Sequence, residues 1–130
     1  MDKNRKSIAT YWLEAAKKDL PVIDHLFEKG DYPWALFVAH LVLEKVLKAY
    51  YVKKVSKVAP YTHSLSLLAE ESNLKLSFEH KELLEKVTDF NLEVRYPEEK
   101  FNFYTICTRE FTQHYLKRIK EFYQWLLEKI

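Results

Sequence analysis

Residues 32–51 read YPWALFVAHLVLEKVLKAYY, with Asp31 in front, and this stretch decides the fold. Asp31 suits a helix N-cap and Pro33 is tolerated in a first turn. From Ala35 to Val52 the strongly polar side chains are His40, Glu44, Lys45 and Lys48. At roughly 100° per residue, the apolar positions between them cover nearly the whole circumference. A helix apolar all round is a central, buried one. Its polar residues are therefore costly unless they are paired or emerge at an edge. His40 and Glu44 are four apart, as are Glu44 and Lys48, so both pairs can meet on one face.

The rest of the chain has to pack around this rod. Its 130 residues suffice for one domain with a real core. With 21 basic and 19 acidic residues, the net charge of +2 does not suggest a general nucleic-acid binder. One cysteine rules out a disulfide framework and a Cys-rich zinc site, so Cys107 is expected to be a buried thiol. Nothing at the N-terminus reads as a signal peptide, and the polar interruptions of the rod argue against a membrane span. The expected location is the cytoplasm. One glycine and four prolines leave few turn signals and little reason to expect strands.

Before the rod, a helix is expected from about Ser7 to Lys29, ending at Gly30. Its stripe is Ile8, Trp12, Ala15, Ala16, Ile23, Leu26 and Phe27, and it continues in phase past Pro21, so a kink is expected there. Asp19 falls in this stripe. Pro21 supplies a local cause, so Asp19 is expected to answer the disturbed backbone or cap a second half-helix. A buried partner for a distant cation is the other reading. The short link at Gly30-Asp31 makes the first two helices antiparallel.

After the rod comes VKKVSKVAPYTH, whose Lys53, Lys54 and Lys57 are read as a solvated helix end. A third helix starts near Thr62-His63-Ser64 and carries Leu65, Leu68 and Ala69. Residues 73–78 (NLKLSF) are an extended connector. A fourth helix runs from about Glu79 to Glu93, and Arg95-Tyr96-Pro97 breaks it, with Tyr96 extended. A last helix is expected from about Asn102 to Glu128, with Tyr104, Thr108, Phe111, Tyr115, Ile119, Phe122 and Leu126 forming a seam. The expected fold is all-α, an up-and-down bundle of four to five antiparallel helices forming a single domain over residues 1–130.

Standard catalytic and phosphate-binding motifs are missing. The five histidines show no i, i+3 or i, i+4 pairing with one another, so neither a metal site nor a cofactor is expected.

Several short motifs nevertheless follow one another in a telling order. They are Ala16-Lys17-Lys18-Asp19-Leu20, Gly30-Asp31-Tyr32, Phe37-Val38-Ala39-His40, Glu44-Lys45, Leu47-Lys48-Ala49, Thr62-His63-Ser64-Leu65 and Arg95-Tyr96-Pro97. As a set they resemble the HEPN domain, the helical nucleotide-binding module of higher eukaryotes and prokaryotes, over roughly Ala9 to Leu127. The resemblance implies a helical bundle, often a homodimer, and frequent pairing with a small nucleotidyltransferase in toxin–antitoxin-like systems. Many such proteins are metal-independent ribonucleases. Their signature is an Arg, four to six residues, then a His, at the start of the last long helix.

This chain departs from that signature. Arg95 takes the Arg position, but Lys100, Phe101 and Asn102 stand where the His would be. Arg109 and His114 have the right spacing but are expected inside the last helix, where five residues at roughly 100° each set them about 140° apart. No catalytic residue is therefore assigned. Arg95 sits at a stiffened helix break, where it can fork to a phosphate while Tyr96 stacks on a base. An Arg that caps its helix or pairs with Glu93 or Glu98 is the structural alternative. If Arg95 closes over the rod, the cleft holds Arg95, Tyr96, Lys48, Glu44 and His40. Lys45 falls on the opposite side, at a rim or dimer face, and His63 reads as a helix cap rather than a ligand.

The reading is a non-catalytic nucleotide- or RNA-binding module, with no membrane association. The alternatives are a ribonuclease toxin using Arg95 with Tyr104 or His114, or a purely structural docking bundle.

Overall fold

The computed structural model describes residues 3–130, and residues 97–101 by their backbone alone. The chain is all-helical: α1 (Lys3–Glu28), α2 (Tyr32–Lys54), α3 (Leu65–Glu71), α4 (Phe78–Arg95), α5 (Pro97–Ile106) and α6 (Arg109–Leu127). The central rod is α2, and it touches each of the other five helices. Leu36, Ala39, Val42, Leu43, Val46 and Leu47 are fully buried, so its apolar side chains are covered on all sides. Burying one such Leu or Val is worth about 1.5–3 kcal/mol. No helix among the described residues is long and apolar enough to cross a membrane.

The first connection follows the sequence closely. Gly30 adopts φ +79°, the left-handed conformation that closes a helix C-terminus. Asp31 occupies the N-cap position of α2, but its side chain makes no capping bond. Instead its backbone carbonyl accepts from Ala35 N–H at 2.9 Å and its N–H donates to Leu26 O. α1 is one unbroken helix through Pro21. The local role expected for Asp19 is replaced by a distant one: its carboxylate pairs with Lys45 of α2. Lys45 is thereby tied to α1, with a quarter of its side chain exposed.

The last helix departs most from expectation. The chain breaks at Cys107–Thr108, where Cys107 has ψ 71° and Thr108 is extended at φ −72°, ψ 169°. The Thr108 hydroxyl accepts from Phe111 N–H at 3.1 Å and starts α6 as an N-cap. An apolar rhythm that stays in phase across the break hides it, and local hydroxyl capping wins. Six helices result among the described residues, and the inward side of α6 is Thr112, Leu116, Ile119, Phe122, Tyr123 and Leu126. Of the expected seam, Thr108 and Tyr104 are exposed, while Phe111 and Tyr115 pack half-buried on Phe90.

Candidate functional site

The polar residues of α2 meet two other segments at one buried cluster. Ser64 caps α3, its hydroxyl accepting from Leu67 N–H at 3.2 Å. Thr62 Oγ1 accepts from Ser64 N–H and shapes the turn before it. His63 is therefore not the cap, and its side chain is directed to α2. From α4 comes Asn91, one turn before Arg95 and 2% exposed.

His40 is fully buried, and both ring nitrogens are used. Its Nε2 lies 2.8 Å from the backbone carbonyl of His63. A carbonyl can only accept, so Nε2 carries the proton. Nδ1 is then the acceptor, and Asn91 Nδ2 donates to it at 3.2 Å. This neutral tautomer fits the electrostatics. Burial holds the imidazole below its usual range; the His63 carbonyl and Glu44 act against that, and Arg95 reinforces it.

Glu44 is the hub of the charged part. Its Oε1 accepts from His63 Nδ1 at 2.8 Å and its Oε2 from Lys48 Nζ at 3.1 Å. His40 Nδ1 is 4.0 Å away. Lys48 is itself buried, and its ammonium lies 5.2 Å from the centre of the Trp12 ring of α1. A carboxylate with only 9% of its side chain exposed needs such partners, because an unpaired buried charge costs several kcal/mol. Lys48 therefore neutralises Glu44 inside the bundle, and its position is interior.

Towards solvent the cluster ends in His63, whose side chain is 45% exposed. Tyr61 lies beside it, ring centroids 6.4 Å apart, and is almost wholly exposed. Arg95 and Tyr96 are exposed at the end of α4. The guanidinium carbon of Arg95 lies 5.9 Å from the centre of the Tyr96 ring. Tyr96 is extended, at φ −108° and ψ 122°, between α4 and α5. The structure thus joins His40, Glu44 and Lys48 directly, places Arg95 within electrostatic reach of His40, and sets Tyr96 against Arg95. His63, expected as a helix cap, and Asn91, which was not singled out, complete the cluster. Asn91 interrupts the inward stripe between Phe90 and Val94, and that lone amide was the available signal.

Arg109 opens α6, so the expectation that Arg109 and His114 both lie inside a helix is overturned: the Arg, four residues, His spacing stands at the start of the last long helix. The Arg109 guanidinium sits over Phe27 of α1, 5.1 Å from the ring centre. His114 packs beside Tyr115, which faces Phe90 of α4. The Tyr104 hydroxyl accepts from Trp34 Nε1 at 3.2 Å. Asn102 is exposed, and the Lys100 and Phe101 side chains lie outside the described residues.

Against known proteins, the HEPN domain family pattern matches residues 9–130. No curated protein gives a significant match. Among solved structures, the crystal structure of TT1696 from Thermus thermophilus is similar, with a TM-score of 0.80 and 22% identity over 94% of this chain and 98% of that one. At that identity the likeness speaks for the fold alone. The family match spans nearly the whole chain, including every residue of the polar cluster, and the chain belongs to the HEPN domain family.

Proposed function

We propose that the protein is a nucleotide- or polynucleotide-binding module whose site is the edge formed by Arg95, Tyr96, His63 and Tyr61. The observation that carries this reading is the buried ladder behind that edge. His40 fixes the loop before α3 and the end of α4 to the same point on α2. An apolar replacement for such a ladder is often at least as stable, so its retention suits a positioning role. Arg95 holds a phosphate with its planar fork, and Tyr96 offers a stacking face. Glu44, Lys48 and His40 orient the edge from inside.

Family membership supports two finer readings: a homodimer, and pairing with a small nucleotidyltransferase in a toxin–antitoxin-like system. Sedimentation of the purified protein and co-purification with a co-expressed nucleotidyltransferase test these. The site itself is tested by calorimetric titration with ATP, GTP and a short RNA, on wild type and Arg95→Ala. Saturable binding lost in the variant supports the reading, and binding that survives Arg95→Ala overturns it. Heat from none of the three favours a docking bundle.

One observation favours a second reading, metal-independent RNA cleavage. The Glu44–His63 pair supplies an oriented imidazole of the kind general base catalysis needs. Cleavage of a short RNA by purified protein, abolished by both Arg95→Ala and His63→Ala, supports it.

A further inference from the structure

The hydrogen-bond direction at His63 says which part of a nucleotide this side chain meets. Glu44 presents a carboxylate oxygen 2.8 Å from His63 Nδ1. A carboxylate only accepts, so Nδ1 bears a proton, and in the neutral ring the lone pair lies on Nε2. The ring is held in this orientation from two sides. Lys48 fixes the other oxygen of Glu44, and the His63 backbone carbonyl is bound by His40 Nε2. With 45% of the side chain exposed, no hydrogen bond to Nε2 is formed among the described residues. Tyr61 flanks this fixed nitrogen acceptor, and Arg95, with Tyr96 against it, is within electrostatic reach of the His40 that holds the His63 carbonyl.

A phosphate oxygen is itself an acceptor and gains nothing from a nitrogen lone pair. Within a nucleotide the donors are the ribose hydroxyls and the N–H groups of the base; with Arg95 on the phosphate and Tyr96 stacked on the base, the hydroxyls are the donors that lie between the two. We propose that His63 Nε2 accepts a hydrogen bond from a ribose hydroxyl of the bound nucleotide, so that the site prefers ribonucleotides to their deoxy forms. His63 is then a ligand-contacting residue, and Glu44 is a positioning residue acting through it. This rests on the nucleotide reading of the same edge.

The test is titration of the protein at pH 8 with ATP, 2′-deoxy-ATP and 3′-deoxy-ATP. These probes contain no internucleotide bond, so cleavage does not interfere. A lost hydrogen bond of ordinary strength weakens binding by about fivefold. The expected result is that at least one deoxy analogue binds about fivefold more weakly than ATP. In His63→Ala that preference disappears, while Arg95→Ala weakens all three probes. His63→Phe keeps the ring volume and carries the same expectation should the alanine variant fold poorly. Equal binding of the three nucleotides by wild type, or a preference that persists in the His63 variants, overturns the inference and leaves the nucleotide reading standing. No binding of ATP by wild type overturns the inference, and the nucleotide reading falls with it only if GTP and a short RNA also give no heat.

Discussion

The neutral, fully buried His40 makes stability depend on pH in a way that can be worked out in advance. In the unfolded chain a histidine takes up a proton around its ordinary value of about 6.5. In the folded protein burial lowers that affinity, with Nε2 already donating to a carbonyl and Nδ1 accepting from Asn91. Below about pH 6.5 the unfolded state thus binds more protons than the native one, and stability falls as pH falls. The stabilising contribution is complete above that value and is lost as pH drops towards the lower native one. If the native ring stays neutral throughout, lowering the pH from 7.5 to 5.5 removes about 1.4 kcal/mol. His40→Gln deletes this proton while leaving an amide that can still donate to the His63 carbonyl. The substitution itself costs about 1–3 kcal/mol through imperfect pairing. Urea unfolding of both proteins at the two pH values isolates the effect, because other groups cancel in the comparison. His80, also pushed down by burial, is among those that cancel. Wild type is expected to lose up to about 1.4 kcal/mol more than the variant on acidification. Equal losses, or a smaller loss in wild type, would refute a neutral buried His40.

Three other outcomes follow from the packing. Thr108→Ala removes the hydroxyl that caps α6 and lowers stability by about 1 kcal/mol in urea titration; a gain in stability would mean that the chain prefers a continuous last helix. A double-mutant cycle on Asp19→Asn and Lys45→Met gives a coupling of about 0.3–1 kcal/mol that weakens with salt, since both side chains are partly exposed. Burial pushes the Cys107 thiol up to about 12, with Glu93 acting in the same direction, so iodoacetamide at pH 8 leaves the folded protein unmodified. Mass spectrometry detects alkylation only after denaturation, and rapid labelling of the native protein would contradict the buried thiol.

The elements legible in the sequence were those with one dominant cause. Residues 35–52 are apolar on every side, which can only be a buried rod, and Gly30 and Tyr96-Pro97 mark helix ends by backbone chemistry. The break at Cys107–Thr108 was hidden because Thr108 serves equally as a member of the apolar rhythm and as a cap, and spacing alone favours the former. Asp19 and Lys45 were both conspicuous, but Pro21 offered Asp19 a nearer explanation than a partner on the next helix. At the candidate site, the i, i+4 spacing of His40, Glu44 and Lys48 announced the ladder. Its other half comes from a loop and from α4. His63 looked like one of three adjacent caps until Ser64 took that role, and Asn91 sat unremarked among apolar neighbours. Sequence spacing reveals contacts within one helix; contacts between segments depend on how the helices pack.

The position of α2 against all five other helices bears on how the molecule opens. Amide protons in the middle of α2 have no partial route to water, because exposing them means detaching every neighbour at once. Their exchange with deuterium is therefore set by global unfolding, and the slowest rates along Leu36–Leu47 report the stability of the entire bundle.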